Sequence, residues 1–219
     1  MVNMTYDEDV NFMEVKTGGI AGGILYRSNS PLKGGGDKKT KETLAISAKI
    51  NCVINLANSS SVIKSLSKDV PWYHRLAAEG NVICLPMTLT IPGVASNEKK
   101  LKTALQFMIN KKGPYLIHCF AGVDRTGFVI MLLEALMGAS LKEICKTYLS
   151  AFLPDDSDSS RTQSYYKIND FLNKIKIMFH EENIFAINLQ AAIEHYLLHS
   201  ICLSCDEITK LKNILSETK

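Results

Sequence analysis

Apolar positions in this chain follow two rhythms. Four short runs are almost continuously apolar and β-branched: Ile24 to Ser28, Asn51 to Leu56, Val82 to Leu85 and Tyr115 to His118. Runs of that length, bounded by breakers, predict strands buried on both faces. Between them the apolar spacing lengthens to three and four, which predicts helices over Lys38 to Lys49, Asn58 to Ser67, Asn97 to Lys111, Thr126 to Met137 and Leu141 to Phe152. Punctuation agrees: Lys33 to Asp37 is a glycine-rich loop, Pro86 stops the third strand, Gly113-Pro114 precedes the fourth, and Gly138 and Pro154 close the last two helices. Beyond Pro154 the strands cease, and helical segments follow near Gln163–His180, Ile184–His199 and Cys205–Ser216. Strands alternating with helices predict an α/β fold with a central, mostly parallel sheet flanked by helices and a C-terminal helical extension. Residues 18–150 form the core and residues 155–219 the extension of a single domain.

Composition narrows the function classes. The chain has 219 residues, 46% hydrophobic and 21% charged, which is too apolar for a disordered protein and ample for a packed core. A net charge of +3 gives no electrostatic footprint for nucleic acid or for a polybasic membrane anchor. Phe128 to Ala139, the longest apolar stretch, is interrupted by Glu134 and is too short to span a bilayer. The first ten residues carry acids and no basic leader, so a signal peptide is not expected. A cytoplasmic, reducing location is expected, a processed secreted form being the alternative. Six cysteines are too few for a disulfide scaffold and read as free thiols. Of the basic residues, only Arg27, Arg75, Arg125 and Arg161 are arginines.

The chemically informative segment is His118-Cys119-Phe120-Ala121-Gly122-Val123-Asp124-Arg125-Thr126-Gly127, where the fourth strand gives way to a helix. Free backbone N–H groups and the helix dipole make such a junction an anion site. Five residues between Cys119 and Arg125 allow one tight loop round a phosphate, with the amides of Phe120, Ala121, Gly122, Val123, Asp124 and Arg125 pointing inward as a nest. Gly122 supplies the backbone freedom. The Arg125 guanidinium holds two phosphate oxygens at once, which lysine does not. A thiol ringed by such donors is favoured as the nucleophilic thiolate. Thr126 is placed to donate its hydroxyl to the sulfur, and His118 to orient the loop and help stabilise the thiolate. A buried cysteine in a tight turn, with Arg125 in a surface ion pair, explains neither the spacing nor the placement.

This segment resembles the signature of the cysteine-dependent protein tyrosine phosphatase superfamily, H-C-x-x-G-x-x-R-[S/T], and more closely a bacterial branch with H-C-x-A-G-K-D-R-T-G. Leu25-Tyr26-Arg27-Ser28 and Val53-Ile54-Asn55-Leu56 look like two weaker landmarks of that branch. The resemblance covers about residues 18 to 150. It implies that Cys119 is the nucleophile, Arg125 the phosphate clamp and the loop amides the cradle. The substrate would be a phosphotyrosine protein, a phosphoinositide or an inositol phosphate, hydrolysed through a cysteinyl-phosphate without cofactor or metal. Vanadate should inhibit and EDTA should not. Where the branch often has Lys, this chain has Val123, which weakens the polyphosphorylated assignment. A catalytically silent phosphate-binding module is the competing class.

The general acid needs its own argument. The loop Asn81 to Asn97, where many members carry an Asp, holds no acid, and the nearest are Glu79 and Glu98. Asp124, inside the cradle, is the best candidate and resembles the arrangement of myotubularins. The competing role for Asp124 is an orienting ion pair. Asp69 and the cluster Asp155, Asp156 and Asp158 fit solvated turns or caps better. Cys202 and Cys205 have redox or zinc spacing but no second pair, and read as helix residues. His195 and His199 read as an exposed helix face, and Cys52 and Cys84 as inert core thiols. The lysines at 38–41, 99–102 and 111–112 read as solvated helix faces before they read as steering charge.

Overall fold

The computed structural model describes residues 6–7, 11–33, 37–88, 95–151, 169, 172–173, 176–177, 179–183 and 187–217. Among the described residues six strands form one sheet: β1 (Tyr6–Asp7), β2 (Phe12–Val15), β3 (Leu25–Ser28), β4 (Cys52–Asn55), β5 (Val82–Cys84) and β6 (Tyr115–His118). Their order across the sheet is β1-β2-β3-β6-β4-β5. The four apolar runs are the parallel strands, with β6 in the middle, and β1 and β2 extend one side antiparallel. The latter two strands have no counterpart in the sequence reading.

Along β3, β4 and β6 successive residues face two different apolar layers. Leu25, Cys52, Ile54, Tyr115 and Ile117 pack on one side, and Tyr26, Val53 and Leu116 on the other. Both faces are covered, which is why these strands read as continuous runs. The second layer is closed by α1 (Lys38–Ser47) and α3 (Pro71–Ala78), with α2 (Ser60–Leu66) beside them. The first is closed by α4 (Ala95–Asn110), α5 (Asp124–Leu136) and α6 (Leu141–Leu149). Helix α3, which opens on Pro71, has no counterpart in the sequence reading. At the first helical position the proline's missing N–H costs nothing and its fixed φ starts the helix.

The C-terminal segments α7 (Leu189–His199) and α8 (Cys205–Ser216) share the first layer with the sheet: Ile193, Leu197, Leu211 and Leu215 are buried among α4 and α5 residues. Cys202 lies in the exposed turn between them and Cys205 opens α8, so only one of the pair is helical. No cluster of metal-ligating side chains exists among the described residues, and His195 and His199 are exposed with their rings in contact. Cys84 is half-buried instead of core, because β5 is an edge strand. The helix expected near Gln163–His180 lies largely outside the described residues, as do Asp155, Asp156 and Asp158. None of the helices among the described residues is long and apolar enough to cross a membrane.

Candidate active site

Parallel register brings the carboxyl ends of four strands level. Ser28, His118, Asn55 and Cys84 lie side by side across β3, β6, β4 and β5. A site in an open α/β sheet forms outside this edge, and the segment from Cys119 to Val123 is the turn that leaves β6 there.

The turn is held from outside through its carbonyls. The Cys119 carbonyl accepts from His118 Nδ1 at 3.2 Å, and the Phe120 carbonyl accepts from the Ser30 amide at 3.0 Å. The Ala121 carbonyl accepts from Asn11 Nδ2 at 3.2 Å, and the Gly122 carbonyl from Arg27 Nη2 at 2.6 Å. In a planar trans peptide the N–H points opposite the C=O. Four carbonyls turned outward therefore turn the N–H groups of Phe120, Ala121, Gly122 and Val123 inward. The Gly122 amide bears this out, donating to the Cys119 sulfur at 3.3 Å. Gly122 has φ +76°, and a Cβ there would lie 2.5 Å from the Ser28 carbonyl oxygen and 2.6 Å from the Asn29 amide. Only glycine lets the loop curl so close to the end of β3.

Helix α5 starts directly behind the loop, and its cap position is Val123, which has no side-chain cap hydrogen bond. The first N–H groups of the helix are thereby left for an anion. Arg125 sits in that first turn. Its Nη1 donates to the Leu56 carbonyl at 3.1 Å and to the Met87 carbonyl at 3.3 Å, which fixes the guanidinium between two loops. Among the described residues its buried Nε has no hydrogen-bond partner. In a guanidinium Nε and Nη2 form one two-pronged edge, so anchoring through Nη1 leaves that edge for a phosphate.

His118 is fully buried and acts through its position. Asn55 Nδ2 donates to the Tyr73 hydroxyl at 3.0 Å, and the Tyr73 hydroxyl meets His118 Nε2 at 3.1 Å. With Nδ1 protonated toward the Cys119 carbonyl, every group in this chain is satisfied. Burial first, and then the charges of Lys41 and Arg125, lower the His118 pKa to about 4. The imidazole is neutral, so it lends the sulfur a dipole and no charge. The Thr126 hydroxyl is buried and has no hydrogen-bond partner among the described residues, so it does not donate to the Cys119 sulfur in this structure. Asp124 is half-exposed at the start of α5.

The other candidate acids among the described residues have partners of their own. Glu79 pairs with Arg75 at 3.7 Å at the end of α3, and exposed Asp69 pairs with Lys38 at 3.7 Å. Glu98 acts on Tyr196 of α7, whose pKa is raised by burial and then by that carboxylate. Lys41 is not on a solvated face: it is 2% exposed and its ammonium donates to the Ser30 carbonyl at 2.9 Å. Asn11, Arg27, Asn55 and Tyr73 do not stand out as site residues in the sequence. The signals present are Arg27 and Asn55, polar residues inside the two apolar strands that resemble family landmarks.

A family model described as "Tyrosine phosphatase family" matches residues 9–217. The chain belongs to the tyrosine phosphatase family. It is a cysteine-dependent phosphatase, with the expected α/β fold. Among curated proteins none matches this tyrosine phosphatase significantly. Solved structures similar to it include the core catalytic domain of the PP-IP phosphatase SIW14 from S. cerevisiae, at 21% identity and TM-score 0.45, covering 78% of this chain and 92% of that one. TpbA from P. aeruginosa matches at 15% identity and TM-score 0.49, covering 87% and 94%.

Proposed function

We propose that this tyrosine phosphatase hydrolyses aryl phosphomonoesters, phosphotyrosine above all, with Cys119 as nucleophile, Arg125 as clamp and Asp124 as general acid. The observation that carries the reading is the set of loop carbonyls held from outside, which turns the opposite N–H groups inward and sets that of Gly122 on the Cys119 sulfur. The sulfur attacks phosphorus in line, an S–P bond forms, and the bond to the leaving oxygen breaks. Preset N–H groups and the Nε edge of Arg125 stabilise the equatorial oxygens without reorganising. Asp124 gives its proton to the leaving oxygen. Its carboxylate then takes a proton from water as that water attacks phosphorus, releasing phosphate and the thiolate.

Support for Asp124 is its place in the first turn of α5 behind the cradle. Support for an aryl group is Phe120, 50% exposed beside the nucleophile, where its ring offers an apolar platform. A second reading, a phosphoinositide or inositol polyphosphate, draws on Lys41. Its buried charge on α1 acts on His118 and so lies near the cradle, whose own loop has Val123 where a cation would sit.

The test is a panel of phosphotyrosine peptide, phosphoserine peptide and phosphoinositide, run with Asp124→Asn over a pH series. The reading expects preference for phosphotyrosine and loss of the basic limb in Asp124→Asn. Preference for the inositol lipid would favour the second reading. An unchanged basic limb would move the acid elsewhere.

A further inference from the structure

Arg27 is fully buried in β3, where a cation is costly unless it is used. Its guanidinium lies behind the cradle: Nη2 donates to the Gly122 carbonyl at 2.6 Å and Nη1 to the Thr147 carbonyl of α6 at 3.5 Å. Nη2 also lies within 3.6 Å of where a Cβ on Gly127, in the first turn of α5, would stand. The side chain thus ties β3, the phosphate loop, α5 and α6 together. Its bond to Gly122 is charge-assisted, and a charge on a carbonyl polarises the N–H on the other side of that peptide. That N–H belongs to Val123.

A second charged group faces the same space. Glu134, in the middle of α5, is 1% exposed and accepts a hydrogen bond from the Thr17 hydroxyl. Thr147 donates to it from α6, and the charges of Arg27 on β3 and Glu143 on α6 act on it. Cys145 of α6 also lies within its field. Burial is the main cause that raises its pKa, to about 7, with the Thr17 bond, Thr147 and Arg27 pulling the other way.

We infer that Arg27 is a positioning residue for phosphoryl transfer, which holds the Gly122 peptide and lends positive charge to the Val123 N–H, and that Glu134 offsets that charge when it ionises. This rests on the reading of the loop as the catalytic cradle. It adds a second arginine that acts on the phosphate without touching it. Below pH 7 Glu134 is mostly neutral and the Arg27 charge acts in full. Above pH 7 the carboxylate partly cancels it, and phosphate binding weakens.

The experiment compares wild type, Arg27→Lys, Arg27→Met, Glu134→Gln and the Arg27→Met/Glu134→Gln double variant on p-nitrophenyl phosphate, with inorganic phosphate as inhibitor, from pH 5.5 to 8.5. Near-UV circular dichroism and melting temperature monitor the fold. At low pH, Arg27→Met should lower kcat and weaken phosphate inhibition about tenfold per folded molecule, the scale of supporting-shell effects. Arg27→Lys should recover part of that loss. Glu134→Gln should hold phosphate inhibition level where wild type declines between pH 6 and 8, and should have no such effect once Arg27 is Met. A folded Arg27→Met with wild-type kcat and phosphate affinity would overturn the inference, as would a loss that only tracks melting temperature. If Arg27→Met fails to fold, Glu134→Gln decides: a pH profile identical to wild type overturns the inference. A wild type without turnover of any phosphomonoester would overturn the underlying reading, and is read in the same plate.

Discussion

Helices α5 and α8 begin with the same deficit, a first turn of N–H groups that no carbonyl within the helix can reach. At α8 the chain closes it locally. Ser204 accepts from the Glu207 amide, and the Glu207 carboxylate accepts from the Ser204 amide at 2.8 Å, in full view of solvent. At α5 the cap is Val123, and nothing local closes the turn. The chain instead surrounds that end with buried polar groups from distant elements: Asn11 before β2, Arg27 on β3, Asn55 at the end of β4 and Tyr73 on α3. Each of these costs desolvation, and each satisfies an outward carbonyl or another member of the set, so that the inward N–H groups stay open. The difference separates a helix end closed within its own first turn from one that the proposed function gives to a phosphate.

The largest break in that contrast is Gly122→Ala. The new Cβ would meet backbone of Ser28 and Asn29 at a positive φ, so the loop must shift rather than a side chain. Steady-state kinetics should show kcat/KM down by about a hundredfold or more, the scale of losing an oxyanion donor. A near-normal rate would mean the inward N–H groups are dispensable.

Next comes a stability effect confined to the buried carboxylate. The Glu134 pKa is raised in the folded protein, so the folded state binds more protons than the unfolded one between the ordinary carboxylate range and about pH 7. The stability this contributes is complete at low pH and is lost as pH rises to about 7, on the order of 3 kcal/mol. Glu134→Gln lacks that loss. Urea midpoints at pH 5 and pH 8 should therefore show the variant gaining on wild type as pH rises, with the His118 contribution common to both.

Tyr73→Phe should be milder. It leaves Asn55 Nδ2 and His118 Nε2 unpaired in a buried place, costing about 1–3 kcal/mol in denaturant unfolding. Activity per folded molecule should fall severalfold, because the His118 ring loses its anchor. Ser204→Ala is the control on the other helix. It should cost about 1 kcal/mol of stability and leave kcat and KM alone.

Sequence alone carried the parallel strands, because burial on both faces writes itself as unbroken apolar runs. It carried the turn from β6 into α5 that holds Cys119 and Gly122, because a buried strand, a glycine and an apolar helix follow one another there. It did not carry β2, where Met13 and Glu14 blur the alternation, or α3, where Pro71 starts a helix in place of stopping one. The outer wall of the cradle was illegible for a different reason. Arg27 and Asn11 bond backbone carbonyls 95 and 110 positions away, and a carbonyl has no residue type to recognise. Lys41 reads as one more lysine on a charged helix until the Ser30 carbonyl is found beneath it.

The central claim is that the Cys119 sulfur takes the phosphoryl group. Rapid quench of wild type with an aryl phosphate, followed by mass spectrometry of the peptide from Tyr115 to Arg125, measures it directly. The peptide should carry one phosphoryl group on Cys119 in wild type. Cys119→Ser should be folded and without turnover. Phosphate on another residue, or undiminished turnover by Cys119→Ser, would contradict the mechanism.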